Sequence, residues 1–336
     1  MKIQDKMDRN LRDLRISVTD RCNFRCRYCM PEELYGEAYT FLKKDEILTF
    51  EEIRKLANIF IELGVNKIRL TGGEPLVRSG VVDLVKTLSK LKKDLDLAMT
   101  TNGYLLERYA KDLYNAGLKR LSVSLDTLDS DIFKEMSGKN FDVKKVLNGI
   151  KSSMSAGFTE IKINSVLKKG TNHESILDLV DYCRSNNLIL RFIEYMDVGT
   201  LNSWNKKYVI STEETISVIS NKYKLAPLNK NYPSEVANRY KFEDGDGEIG
   251  FISSVSNPFC TSCSRARIST DGRLVTCLFS ESGIDLKTPL RNNESEDFIS
   301  NLIKDTWRGR DDKYSIDRNL GIKTNKSKIE MFQLGG

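Results

Sequence analysis

Leu14-Arg15-Ile16-Ser17-Val18-Thr19-Asp20-Arg21-Cys22-Asn23-Phe24-Arg25-Cys26-Arg27-Tyr28-Cys29 runs from a β-branched, strand-like segment into a loop that holds three cysteines. Leu14–Thr19 is the first of six short strand candidates, followed by Lys67–Thr71, Leu95–Thr101, Arg120–Leu125, Glu160–Leu167 and Leu188–Tyr195. Between them lie helical patterns. In Phe50–Leu63 the residues Ile53, Leu56, Ala57, Phe60 and Ile61 recur at three-to-four spacing, and Gly80–Leu91, Leu105–Ala116 and Val143–Ala156 read the same way. Regular strand–helix alternation means a parallel sheet. Six such units are too few for a closed eight-stranded barrel, so the expected fold is α/β, a partial (β/α)6 barrel over residues 8–220.

From about Asn221 the pattern changes. Arg239–Phe242, Glu248–Val255, Arg265–Ser269 and Arg273–Thr276 read as short strands joined by Gly/Asp turns, so residues 221–336 are expected to form a small antiparallel element. Gly245-Asp246-Gly247-Glu248-Ile249-Gly250 satisfies G-x-G-x-x-G letter by letter. A dinucleotide fingerprint must follow a strand and open a helix, whereas here a strand follows, so the segment reads as a hairpin turn.

Composition narrows the chemistry. The 336 residues carry 53 Lys+Arg, 47 Asp+Glu, a net charge of +6 and a single histidine, His173. One imidazole makes a Ser-His-Asp hydrolase a poor reading and a multi-histidine metal site impossible. Met1–Asn10 is charged and lacks an apolar run, so it does not read as a signal peptide, and no stretch approaches a membrane span. The expected setting is cytoplasmic, with no membrane partner.

The seven cysteines are Cys22, Cys26, Cys29, Cys183, Cys260, Cys263 and Cys277. An odd number at tight spacings argues against disulfides and for a reduced compartment. Each triplet offers three thiolates without a nearby histidine. A closed structural zinc site wants four ligands, whereas a four-iron cluster held by three cysteines keeps one iron open to an outside ligand. Cys183, on a helical segment, reads as core.

Cys22-x-x-x-Cys26-x-x-Cys29, with an aromatic before the last Cys, resembles the cluster motif of the radical S-adenosylmethionine superfamily. The flank from Leu14 to Cys26, together with the second triplet, resembles the GTP 3′,8-cyclase family within it, over almost the whole chain. The resemblance implies two 4Fe-4S clusters, on Cys22/Cys26/Cys29 and on Cys260/Cys263/Cys277, the latter carried by the C-terminal antiparallel element. It implies S-adenosylmethionine contacts at Tyr28, Gly73, Ser124 and Met196, with Glu74 of Gly72-Gly73-Glu74 near the methionine amino group. Arg15, Arg69, Thr100, Lys162, Arg265 and Arg267 are then expected to bind GTP. Arg265 and Arg267, two apart on a strand, share a face, and a guanidinium fork suits phosphate oxygens.

The implied reaction is a 3′,8-cyclisation of GTP to (8S)-3′,8-cyclo-7,8-dihydroguanosine 5′-triphosphate, the first step of molybdenum cofactor biosynthesis. It starts from a 5′-deoxyadenosyl radical, so catalysis is expected from the cofactor-borne radical and not from a side chain. The implied partners are a flavodoxin- or ferredoxin-type electron donor and the downstream cyclic pyranopterin monophosphate synthase. A homodimer is admitted and nucleic acid is not. The terminal Gly335-Gly336 is expected to reach the active site. Two alternatives remain at this level: a peptide or sulfatase maturase with an auxiliary cluster, and, from a different class, a metal-stabilised nucleic-acid-binding module. The latter calls for a basic stripe and closed four-ligand sites, and the sequence offers neither.

Overall fold

A computed structural model of the chain describes residues 3–200, 204–245, 247–322 and 327–335. Its strands are β1 (Asp13–Ser17), β2 (Lys67–Thr71), β3 (Asp96–Thr101), β4 (Arg120–Ser124), β5 (Ile161–Leu167) and β6 (Ile189–Glu194), then β7 (Leu225–Leu228), β8 (Asn238–Phe242), β9 (Glu248–Ile252), β10 (Arg265–Ile268), β11 (Arg273–Val275) and β12 (Ile284–Asp285). All twelve form one sheet in the order β12-β11-β10-β1-β2-β3-β4-β5-β6-β9-β8-β7. The six expected βα units occupy its centre, paired parallel from β1 to β6. The sheet has two free ends and does not close.

The C-terminal strands join this sheet at both edges. β10 pairs parallel with β1 and β9 parallel with β6, and each is followed outward by antiparallel strands. The antiparallel hairpins are therefore present, but two of the strands expected there extend the parallel barrel. The Gly245–Gly250 segment spans the β8–β9 turn and the start of β9, as a hairpin reading requires; Asp246 lies outside the described residues.

Alternation along the strands decides the two faces. Leu14, Ile16, Ile68, Leu70, Leu97, Met99, Leu121 and Val123 point outward and are buried beneath the helices. Helix Phe50–Glu62 supplies Ile53, Leu56, Ala57, Ile59 and Phe60 to that layer, and a Thr49/Glu52 capping box fixes its start. The alternate residues point inward and are largely polar or charged: Arg15, Arg69, Ser122, Asn164 and Arg191 line a central cavity. An apolar outer face and a polar inner one is the pattern of a barrel built to hold a ligand. Among the described residues no helix is long and apolar enough to cross a membrane.

Candidate active site

Register places the inward-facing arginines. Arg15 on β1 is flanked by Arg267 on β10 and by Arg69 on β2, so three guanidinium-bearing residues sit side by side on neighbouring strands. Arg69 and Arg267 are buried in the barrel, and Arg15 is half-buried. Burial and the neighbouring Arg267, Arg265 and Arg69 push the Arg15 guanidinium well below its ordinary pKa. Burial and Arg265 bring Arg267 down to about 9, and burial brings Arg69 to about 10. Like charges crowded in a low-dielectric cavity repel strongly, so the arrangement is suited to an anion. Arg69 is already aimed, since it donates to Thr100 Oγ1 (3.0 Å) and Ser122 Oγ (2.9 Å). Arg265 lies over the Phe259 ring at 5.0 Å and keeps a buried Nε with no hydrogen-bond partner.

The two cysteine sets lie at opposite ends of these strands, on either side of the row. Cys22, Cys26 and Cys29 follow the C-terminal end of β1, whereas Cys260 and Cys263 precede β10 and Cys277 follows the antiparallel β11. All six line the one cavity and all are free thiols. Among the described residues no three His, Cys, Asp or Glu side chains converge on a single metal ion. A four-iron cube instead needs thiolates spread around its corners. The donors near the first set fit such a group: Phe24 N donates to Cys22 Sγ (3.4 Å), and Asn102 Nδ2 lies 3.9 Å from it. Burial and the Glu74 charge push the Cys22 thiol up to about 12. At Cys263 burial works upward too, but the Arg265 and Arg310 guanidiniums outweigh it and bring the thiol down to about 6.

Tyr28, Gly73, Ser124 and Met196 line the cavity beside the first set. The Tyr28 hydroxyl donates to Asp126 (3.0 Å), which burial raises to about 6. The glycines of Gly72-Gly73 serve a close approach of backbone to backbone: Gly73 N donates to Thr19 O (2.7 Å) and Glu74 N to Arg21 O (2.9 Å). A Cβ on Gly73 would fall onto the Arg21 carbonyl oxygen. Glu74 accepts from Thr101 Oγ1 (2.7 Å), Asn102 N (2.7 Å) and Leu76 N (3.0 Å), and burial raises it to about 7.

Lys162 departs from expectation. It stands on the inner face opposite Ser122, but its ammonium turns to Glu160 before β5 and does not line the cavity. Sequence reasoning also missed contributors from distant segments. Arg191 and Asn164 line the cavity with a buried Nε and Oδ1 that find no partner, and polar inward positions on β5 and β6 were the available signal.

The chain's end returns to the cavity. Gly335, at φ +72, packs against the Thr71 side chain, where a Cβ would clash, and its carbonyl accepts from Arg267 Nη1 at 2.5 Å. Gly336 lies outside the described residues. The end is held by ties to the β6 loop: Lys328 Nζ bonds Asp197 (3.1 Å), joined there by Tyr314 and Arg318, and Glu330 accepts from Thr200 N and Oγ1 (2.9 and 2.7 Å). Replacing Lys328 with methionine is expected to lower turnover about tenfold, the worth of a partly buried charged hydrogen bond. Lys328→Arg should restore most of it, and unchanged turnover in the methionine variant would remove the tie from the mechanism.

Two family models match: Radical SAM superfamily over residues 16–183 and Molybdenum Cofactor Synthesis C over 188–316. A GTP 3′,8-cyclase of Staphylococcus epidermidis is 45% identical over 337 residues, covering 99% of each chain. Another from Acidothermus cellulolyticus is 48% identical, covering 95% of this chain and 89% of its own. The chain belongs to the GTP 3′,8-cyclase family. Membership in this radical S-adenosylmethionine family brings S-adenosylmethionine and an iron–sulfur cluster as cofactors. Among solved structures, Streptococcus suis SuiB bound to S-adenosylmethionine aligns with a TM-score of 0.61 at 17% identity, over 90% of this chain and 67% of that one. At that identity the likeness concerns the fold, a GTP 3′,8-cyclase barrel and the SuiB barrel sharing one architecture.

Proposed function

We infer that this chain converts GTP to (8S)-3′,8-cyclo-7,8-dihydroguanosine 5′-triphosphate, opening molybdenum cofactor biosynthesis. One observation carries the reading: both cysteine triplets and the arginines Arg15, Arg69, Arg265 and Arg267 line a single cavity. Residues 8–220 form the radical-generating half and 221–336 bring the second triplet and Arg265/Arg267. Two clusters, each on three cysteines, would supply an electron that cleaves S-adenosylmethionine to the 5′-deoxyadenosyl radical at the first triplet and an open iron for the guanine base at the second.

The chain's own residues bind and orient. Tyr28, Gly73, Ser124 and Met196 surround S-adenosylmethionine, and the Glu74 carboxylate faces its ammonium. Arg15, Arg69, Arg265 and Arg267 hold the triphosphate, with Thr100 beside Arg69. Because these cations are buried and arranged before the substrate arrives, little reorganisation is needed as the nucleotide binds. An electron donor of flavodoxin or ferredoxin type and the cyclic pyranopterin monophosphate synthase complete the sequence, in the cytoplasm.

Anaerobic incubation with dithionite, S-adenosylmethionine and GTP should yield 5′-deoxyadenosine together with a cyclised nucleotide. Release of 5′-deoxyadenosine without loss of GTP would move the substrate to the peptide-maturase class. The Glu74 carboxyl adds a pH dependence. Its pKa is raised to about 7, so it is largely neutral below that pH and a carboxylate above it. Affinity for S-adenosylmethionine should therefore rise about tenfold from pH 6 to 8, and E74Q should flatten the profile. Equilibrium dialysis on the reconstituted protein reads this directly; a flat wild-type profile would place the ammonium elsewhere.

A further inference from the structure

Behind the second cysteine set lies a buried charge network drawn from both ends of the chain. Arg9 Nε bonds Asp5 Oδ2 at 2.6 Å, and Arg310 Nη1 reaches the same oxygen at 3.2 Å. Arg310 Nε also pairs with Asp312 at 3.1 Å. The side chains of Asp5, Arg9 and Arg310 are at most 2% exposed, so this is no surface ion pair. Two acids and two guanidiniums balance in charge, which is how a buried network avoids an uncompensated ion.

Both guanidiniums also reach the main chain of the cysteine loop. Arg9 Nη1 donates to Cys260 O (2.7 Å) and to Asp312 O (2.7 Å), and Arg310 Nη1 donates to Cys263 O (2.7 Å). Trp307, from the helix Glu296–Arg308, closes the far side, its indole N–H on Arg9 O at 3.0 Å and the Arg310 guanidinium 4.6 Å from its ring. Arg9 retains a buried Nη2 with no partner. The first triplet has separate support: Arg25 Nη1 donates to Cys22 O (2.7 Å) and Arg25 Nε to Tyr35 O (2.8 Å). Each set thus has its own arginine on the main-chain carbonyls of its ligands, and the two supports share no residue.

We propose that Arg9 and Arg310, held by Asp5 and Asp312, are positioning residues dedicated to the second cysteine set, fixing the Cys260–Cys263 turn so that its thiolates can hold a cluster independently of the first set. The proposal rests on the two-cluster reading above. Fixing the ligands before the cluster arrives spares the ordering entropy that a loose loop would have to lose.

The test measures iron and sulfide on the full chain after anaerobic reconstitution, together with the electron paramagnetic resonance spin count. The wild type should hold about eight irons per chain, and R310M and R9M about four each, with half the cluster spin. Both variants should keep 5′-deoxyadenosine formation within about twofold while cyclisation falls at least about a hundredfold. R310K should recover part of the second cluster, and Lys6→Met, on the exposed Lys6–Asp311 pair nearby, should keep both. Wild-type iron in R310M and R9M would overturn the proposal. So would parallel loss of iron from both sets, which marks general fold support. A wild-type chain holding only about four irons would instead refute the two-cluster reading, before any variant is compared.

Discussion

Arg267→Met is expected to lower GTP cyclisation by a factor of about a hundred to a thousand while 5′-deoxyadenosine formation stays within about threefold. The size follows from removing one member of the buried, hydrogen-bonded charge pair proposed between Arg267 and the triphosphate, which costs about 2–5 kcal/mol. Methionine keeps much of the side chain's volume, so the loss reads on charge and hydrogen bonds and not on a cavity. Arg267 stands between Arg15 and the second cysteine set, and it holds the Gly335 carbonyl. Its removal therefore takes away the proposed phosphate fork and the anchor of the tail at once. Steady-state kinetics should show both a raised KM for GTP and a lowered kcat. Cyclisation within threefold of wild type would mean that neither the phosphate nor the tail depends on this guanidinium.

Gly73→Ala should have the opposite selectivity, abolishing S-adenosylmethionine cleavage itself. The added methyl meets the Arg21 carbonyl and the Asp20 carbonyl, both main-chain atoms that cannot rotate away. Relief requires the end of β2 to part from the cluster loop, breaking the bonds from Gly73 N to Thr19 O and from Glu74 N to Arg21 O. Overpacking of this kind costs about 1–3 kcal/mol in stability. Because the strain falls on the loop carrying Cys22, its larger effect should be loss of iron from the first set and at least a hundredfold drop in 5′-deoxyadenosine. Gly245→Ala is the matched control, since a methyl there meets only the tip of Arg184 at 3.8 Å. Normal iron content and cleavage in Gly73→Ala would show that this junction tolerates opening.

The central barrel was legible because its signals are local. Six β-rich segments separated by amphipathic helices state a parallel sheet, and the two-residue repeat places Arg265 and Arg267 on one face without further information. Partner choice at the sheet edges was not legible: β10 joins β1 across some 250 residues of sequence, a pairing that no local pattern encodes. The brief strands β7 and β12 gave no periodicity to read.

At the site, the cysteines and inward arginines could be named because their residue types are informative at short spacing. Lys162 shows the limit. Its strand and face follow from sequence, but strand alternation does not decide whether a long flexible side chain extends into the cavity or folds back onto Glu160, two residues earlier. Arg9, Asp5 and Arg310 were hidden for a related reason. Each alone is an ordinary charged residue near a chain end, and its meaning arises from a meeting across about three hundred residues. Helix Glu296–Arg308 likewise lies within residues expected to form a small antiparallel element, yet it buries Ile299, Ile303 and Trp307 along one face.

The central claim is that the radical released beside Cys22, Cys26 and Cys29 acts on the ribose of a GTP held by the arginine row. It is tested most directly with GTP deuterated at the ribose 3′ carbon, incubated anaerobically with the reconstituted enzyme, reductant and S-adenosylmethionine. The account predicts deuterium in the 5′-deoxyadenosine, in step with formation of the cyclised nucleotide. Unlabelled 5′-deoxyadenosine formed alongside that product would contradict it.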